Sequence, residues 1–88
     1  MTKHLGTKLR EMREAAGHTQ KDVSELLGYD TPQFISNIER GIAHPPDHAL
    51  FELAEFYRVP YERLVDLVYG AKIARIKERK RHLLEDAS

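Results

Sequence analysis

The sequence contains no cysteine, and this absence excludes a disulfide framework and any zinc site with thiolate ligands. It also lacks an apolar run near the roughly 20 residues that a membrane-spanning helix needs. The first ten residues, MTKHLGTKLR, lack the apolar segment of a signal peptide. We therefore expect a soluble intracellular protein that does not contact a membrane.

Motifs of enzyme chemistry are missing as well. The chain has no glycine-rich phosphate loop, and its serines and histidines show no spacing typical of a catalytic triad. His44 and His48 are four residues apart, but Pro45 and Pro46 between them disrupt the helical geometry that a metal-binding pair needs. A small helical domain also leaves little room for a buried pocket. We expect no enzyme activity, no cofactor and no metal.

The sequence has no excess of charge of either sign, since 14 basic residues balance 14 acidic ones. Net charge alone therefore does not indicate a partner. The balance is uneven along the chain. Residues 42–70 hold two basic and five acidic residues (net −3), and residues 71–88 hold six basic and three acidic residues (net +3). A neutral chain weakens the case for a nucleic-acid partner without excluding it, because local positive surface and helix dipoles also bind phosphate.

No segment shows the alternation of a β-strand, and the apolar spacing predicts an all-α protein of 88 residues. Four apolar residues spaced for one helix face predict a first helix that ends at Gly17: Leu5, Leu9, Met12 and Ala16. A fourth helix is predicted over about Asp47–Tyr57, with Leu50, Leu53, Ala54 and Tyr57 inward. A fifth is predicted from Tyr61, with Leu64, Leu67 and Val68 inward.

The stretch from Thr19 to Gly41 predicts two short helices joined by a turn. Thr19 and Asp22 resemble a capping box at the start of the second helix, and Gly28 ends that helix. Its inward face is predicted from the i, i+3, i+4 spacing of Val23, Leu26 and Leu27.

The third helix is predicted over residues 31–40, with Thr31 as its N-cap and Pro32 as its first helical residue. Ile35 and Ile38 face inward and Gly41 closes the helix. The outward side is rich in amide, hydroxyl and guanidinium groups, which suit the base edges of a DNA major groove: Gln33, Ser36, Asn37 and Arg40.

This stretch resembles the helix-turn-helix of the Cro/cI (lambda-repressor-like, XRE-type) DNA-binding family. The matching residues are Thr19-Gln20, Leu27-Gly28 and the run ISNIERG from Ile35 to Gly41. The resemblance covers about Leu5 to Leu67, although the turn Tyr29-Asp30-Thr31 is one residue longer than the usual family turn. It implies a compact five-helix, lambda-repressor-like DNA-binding domain (residues 1–70) with a C-terminal helical extension (residues 71–88).

The resemblance also implies roles for single residues. Gln20 bonds a backbone phosphate, and the amides of Gln33 and Asn37 read bases, since they can make paired bonds to adenine. Thr31 contacts a base or a phosphate. Arg40 is a phosphate candidate.

Three further DNA-contact candidates keep alternatives. Phe34 either presses on a thymine methyl group or folds back onto the core beside the long turn. His44 either contacts a phosphate or is simply solvated. Arg13 and Glu39 match a family ion pair that ties the first helix to the third and orients Arg13 toward phosphate, the alternative being a loose surface pair.

The C-terminal stretch AKIARIKERKRHLLED carries a basic cluster and a sparse apolar stripe. Three interpretations are open: a frayed solvated helix, a prolonged fifth or added sixth helix that pairs with its copy, or a basic tail on the DNA backbone. Five residues are the candidates for a dimer surface: Val65, Val68, Tyr69, Ile73 and Ile76.

Taken together, these features predict a sequence-specific regulator of transcription that binds double-stranded DNA. We expect a cytoplasmic, nucleoid-associated homodimer on a palindromic operator, acting as a repressor or, with the same fold, as an activator. The alternative is a protein-interaction module, such as an antitoxin-like partner that binds DNA secondarily.

Overall fold

In the computed structural model, which describes residues 2–87, the chain forms five α-helices and one short 3₁₀ helix. The described residues contain no strand, which confirms the predicted all-α class. The helices are α1 (Thr2–Ala15), α2 (Gln20–Leu27), α3 (Gln33–Glu39), α4 (Leu50–Tyr57) and α5 (Tyr61–Asp86), with the 3₁₀ helix at Asp47–Ala49. Within these residues, no helix combines the length and the apolar character that a membrane crossing needs.

The core lies where the apolar spacing placed it. Every helix contributes buried apolar side chains, and α4 contributes the most. The buried apolar residues are Leu5, Leu9, Val23, Ile35, Ile38, Ala49, Leu50, Leu53, Ala54, Tyr57, Leu64 and Val68. Short helices such as α2 and α3 are marginal alone, so this shared core holds them in position.

The ends of α2 confirm the predicted capping signals. The Oγ1 of Thr19 accepts from the amide of Asp22 over 3.0 Å, and the Asp22 carboxylate accepts from the amide of Thr19 over 2.8 Å. Gly28 ends the helix in the left-handed conformation, with φ at 81°. The predicted inward face is wrong at one position, because Leu26 is 37 % exposed while Val23 is buried.

Helix α3 begins at Gln33, one residue after Pro32, the predicted first helical residue, and its N-cap is Pro32 instead of Thr31. Pro32 has φ −77° and ψ 3°, which is turn rather than α-helical geometry, so the first α-helical residue follows it. Thr31 keeps part of the predicted capping role, since its Oγ1 accepts from the amide of Gln33 over 3.4 Å. Ile35 and Ile38 are buried, as predicted.

The start of the fourth helix is also corrected. Residues 47–49 form the 3₁₀ turn, closed by the amide of Ala49 donating to the carbonyl of Pro46 over 3.0 Å, and α4 proper begins at Leu50. No side chain caps this helix start, and a tighter first turn is a common way to satisfy its backbone groups.

Helix α5 continues without a break through Gly70 to Asp86, so the extension is a prolonged fifth helix. Its first half is anchored in the core by Leu64 and Val68, which are fully buried. Val68 therefore does not belong to an exposed dimer surface, because its i, i+4 spacing from Leu64 turns it toward the core. Beyond residue 72 the side chains of α5 are mostly exposed.

Candidate nucleic-acid interface

Three polar side chains form a connected row on α3, on the side opposite its buried isoleucines. The Nε2 of Gln33 donates to the Oδ1 of Asn37 over 2.9 Å, and the Nη2 of Arg40 donates to the same oxygen over 2.8 Å. The i, i+4 and i, i+3 spacings bring these side chains onto one strip of the helix. We call Gln33, Asn37 and Arg40 the polar row.

Asn37 is the centre of this row, and its hydrogen bonds decide what it offers to a ligand. A carbonyl oxygen has two lone pairs, and both donors in the row converge on the Oδ1 of Asn37. The Nδ2 hydrogens therefore remain as its outward groups. A paired bond to adenine needs this oxygen as an acceptor, so Gln33 or Arg40 would have to release it first.

A buried cluster centred on Glu39 fixes the orientation of α3. The Oε2 of Glu39 accepts from the Nε of Arg13 over 2.7 Å, and its Oε1 accepts from the Nη2 of Arg13 over 3.0 Å. The same Oε1 accepts from the Nε2 of Gln20 over 3.0 Å. One carboxylate thus connects α1, α2 and α3, and the paired geometry restricts how α3 can rotate.

Arg13 is held inward by this cluster. Its side chain is 9 % exposed, and its Nη1 donates to the carbonyl of His18 over 2.8 Å. The hydrogen bond to Glu39 raises the pKa of Arg13 above its ordinary value, so the group stays charged. The predicted tie between the first and third helices is present, and these hydrogen bonds make Arg13 a residue that positions α3. Its contact with a phosphate stays a prediction.

Gln20 lies at the first turn of α2, where backbone amides point outward and the helix dipole favours an anion. Its amide bonds Glu39 through one hydrogen, and the Nε2 carries a second hydrogen that can donate to a phosphate oxygen. Asp22 occupies the capping box beside it, where the hydrogen bond from the amide of Thr19 holds the pKa of Asp22 below its ordinary value.

The turn between α2 and α3 holds the two remaining candidates from this region. Phe34 packs against Tyr29, with ring centroids 4.9 Å apart and ring planes inclined by 51°. Phe34 is partly buried against the core, which corresponds to the folded-back alternative. Thr31 is exposed at the start of α3, where its hydroxyl contacts the amide of Gln33.

His44 lies in the loop after α3 and contacts α5. Its Nε2 is 3.4 Å from the Nη1 of Arg75, and its Nδ1 is buried without a hydrogen-bond partner among the described residues. Burial, followed by the charges of Arg75 and Lys72, lowers the pKa of His44. Above pH 6.5 this shift favours the neutral imidazole, and a contact of His44 with a phosphate stays a prediction.

Gly6 is a positioning residue that the sequence analysis missed. A Cβ atom at Gly6 would overlap the carbonyl oxygen of Glu39 and would lie 2.7 Å from that of Ile38. The glycine therefore lets α1 approach the backbone at the end of α3. The available signal was a lone glycine between Leu5 and Leu9 in a helical stripe, a pattern that often marks a close backbone contact.

The structure thus brings together Gln33, Asn37 and Arg40 on the surface of α3, and Gln20 with Arg13 beneath them through Glu39. It directs Phe34 to Tyr29 and His44 to α5 instead. Within the described residues, no group of three or more histidine, aspartate or glutamate side chains is arranged to hold a metal ion.

Comparison with known families gives a match over most of the chain. A family model described as a helix-turn-helix domain matches residues 4–68. This range includes α2, α3 and α4, all of α1 except its first two residues, and the first eight residues of α5.

Two curated relatives are similar over the same part of the chain. The HTH-type transcriptional regulator ImmR of Bacillus subtilis is 36 % identical over 61 residues, which are 69 % of this chain and 47 % of ImmR. An uncharacterized HTH-type transcriptional regulator of Sinorhizobium fredii, y4dJ, is 34 % identical over 65 residues, 74 % of this chain and 83 % of that protein. The matched part thus spans about half the length of ImmR. No solved structure matches the chain.

Proposed function

The chain belongs to the helix-turn-helix family of DNA-binding transcriptional regulators, of the Cro/cI type, and we propose that it binds a palindromic operator as a homodimeric repressor. In this proposal α3 enters the major groove and α2 rests on the phosphate backbone. Repression follows when the bound protein covers a promoter.

The observation that carries the proposal is the polar row on α3. Its three side chains are held in one strip on the face opposite Ile35 and Ile38, so burying the isoleucines necessarily presents the row outward. The row offers donors from an amide and a guanidinium group, which bond the N7 and O6 atoms of guanine, the O4 of thymine or the N7 of adenine.

The cluster around Glu39 supports the same proposal. A helix that reads bases must be held in one orientation, because a small rotation moves its side chains to other base edges. Glu39 supplies this restraint from below the row through Arg13, and it holds Gln20 beside the first turn of α2, where we place a phosphate contact.

Selection of duplexes from a random pool tests the proposal. We expect one enriched sequence with two-fold symmetry, and an affinity that falls steeply as salt is raised. Binding that shows no preferred duplex and no salt dependence would instead indicate a module that acts only on other proteins.

Single-base variants of the selected duplex then test the assigned roles. Gln33→Ala and Asn37→Ala are each expected to cost about 1–3 kcal/mol on the best site and to relax preference at particular base pairs. Gln20→Ala is expected to weaken all duplexes alike, because a phosphate contact carries no sequence information. Unchanged preference profiles for both Gln33→Ala and Asn37→Ala would contradict the assignment of α3 as the reading helix.

A further inference from the structure

One face of α5 points away from the core along the whole length of the helix. Seven residues with alternating spacings of four and three lie on it, and all seven are exposed: Glu62, Asp66, Tyr69, Ile73, Ile76, Lys80 and Leu83. We call them the outer stripe. It lies opposite Leu64 and Val68, which are fully buried, so the core leaves it accessible. Tyr69 keeps one contact with the domain, because its hydroxyl donates to the Oδ2 of Asp47 over 2.7 Å.

The outer stripe changes character along its length. It begins with two carboxylates, Glu62 and Asp66, continues with three apolar side chains, and ends with Lys80 and Leu83. Its apolar middle is well exposed, since Ile73 is 50 % and Ile76 is 66 % accessible. The 4-3 spacing is that of the contact seam of paired helices.

This order is self-complementary about Ile73. Asp66 precedes Ile73 by seven residues and Lys80 follows it by seven. A two-fold axis through Ile73, perpendicular to α5, would therefore set Asp66 of each copy opposite Lys80 of the other. The same axis sets Ile73 opposite itself and places Tyr69, four residues before it, within one residue of the position facing Ile76, three residues after it. A surface with this property suits an isologous dimer.

The parallel arrangement lacks this complementarity. The segment from Lys72 to Arg81 holds six basic residues and one acidic residue, Glu78. Parallel helices would bring two such segments side by side and would leave both acidic ends together. Like charges in close juxtaposition oppose association, whereas the antiparallel arrangement pairs each basic end with an acidic one.

We propose that two copies of this chain associate through their outer stripes, with the α5 helices antiparallel and crossing near Ile73. This proposal rests on the homodimer in the proposed function and specifies its interface. The long exposed half of α5 then gains an apolar partner, and both α3 helices remain outside the interface.

Disulfide trapping tests the arrangement in the full-length chain, because the natural sequence has no cysteine that could interfere. Asp66→Cys and Lys80→Cys are prepared separately and then mixed under mild oxidation. We expect cross-linked dimers mainly in the mixture, where the two new thiols face each other and the second Asp66–Lys80 pair is kept. In an antiparallel pair of one variant, its two thiols lie about 20 Å apart along the helix, too far to bridge. Cross-linking of Asp66→Cys with itself would indicate parallel helices and overturn the proposal.

Charge reversal gives a second measurement, the dimer dissociation constant from sedimentation. Asp66→Lys or Lys80→Glu alone is expected to raise it about tenfold, because two facing pairs become repulsive, and the double variant is expected to restore it. Arg81→Glu is the matched control: it makes the same change in net charge one residue away, off the stripe, and is expected to change little. An equal effect of Arg81→Glu, or no restoration in the double variant, would contradict the pairing.

The proposed function and the proposed dimer interface can be contradicted independently of each other. A chain that selects a palindromic duplex but sediments as a monomer, or dimerises without these cross-links, retains the proposed function and loses the interface. A chain that gives the expected cross-links but selects no duplex retains the interface and loses the function.

Discussion

The ion pair of Arg13 with Glu39 and the ion pair of Arg81 with Glu85 join the same kinds of group in opposite surroundings. The first has a shortest distance of 2.7 Å and side chains 9 % and 4 % exposed. The second is 3.7 Å long, with side chains 65 % and 63 % exposed. Inside the domain, removing either partner would leave a buried charge without its counter-ion, so the pair holds the helices in one arrangement. In the extension, water and salt screen the pair, so it restricts the helix little.

Apolar side chains show the same contrast between the domain and the extension. Ile38 of α3 is 5 % exposed, and Ile76 of α5 is 66 % exposed. The first contributes to folding of the chain, and the second is available for association. The family match ends at residue 68, and Val68 is also the last buried residue of α5. The continuous helix α5 therefore contributes its first residues to the core of the domain and forms the exposed extension with the rest.

The largest effect should come from breaking the buried ion pair. We expect Glu39→Gln to destabilise folding by about 3–5 kcal/mol, because Arg13 would remain charged, buried and without its carboxylate. Urea unfolding of the two proteins measures this difference. Arg81→Ala is the control in the extension, where we expect a change below about 1 kcal/mol. Equal effects at the two sites would remove the contrast between buried and exposed charge.

Local signals in the sequence predicted most of the fold. The capping box of Thr19 and Asp22, the left-handed Gly28 and the inward Ile35 and Ile38 each depend on neighbours within a few residues, and the structure confirms all of them. The start of α3 was wrong because Pro32 is compatible with both a first helical residue and a turn, and only its ψ of 3° distinguishes them.

Features that depend on distant residues were harder to predict. The sequence left open whether Arg13 and Glu39 formed a loose surface pair or a buried one, because that depends on how closely α1 approaches α3 at Gly6. The hydrogen bonds that converge on Asn37 depend on rotamers that a sequence pattern does not specify. The DNA-contact residues and the domain boundary at residue 70 stay predictions.

Shortening an isoleucine should produce the next largest difference in folding stability between the domain and the extension. Ile38→Ala is expected to cost about 2–5 kcal/mol, since it removes buried methylene groups and leaves a cavity. Ile76→Ala is expected to change stability by less than about 0.5 kcal/mol when measured at concentrations where the chain is monomeric. Thermal or urea unfolding of both variants provides the comparison. A cost under about 0.5 kcal/mol for Ile38→Ala would mean that α3 is rotated differently.

Replacing each of two helical glycines by alanine is expected to change the folding stability in opposite directions. Gly6→Ala is expected to destabilise by about 1–3 kcal/mol, because its Cβ would overlap backbone carbonyl groups of α3. Gly70→Ala has open space around it and is expected to stabilise by about 0.5–1 kcal/mol through better helix propensity. Unfolding curves recorded under identical conditions compare the two. A stabilising Gly6→Ala would show that α1 and α3 lie farther apart than described.

The smallest effect is expected at His44, where the domain meets the extension. Its pKa is lowered in the folded chain, so the unfolded chain binds a proton first as the pH falls through about 6.5, the ordinary value. Stability should therefore decrease from pH 6.5 downward, with a slope below about 1.4 kcal/mol per pH unit, the limit for one proton. His44→Gln should flatten this slope, and His48→Gln, at an exposed position, should not. The carboxyl groups of Asp22 and Asp47 also have lowered pKa values, but they lose their stabilising effect only below about pH 4, outside this window. An unchanged slope in His44→Gln would mean that His44 is neither buried nor close to Arg75 and Lys72 in solution, and that the extension is less closely joined to the loop.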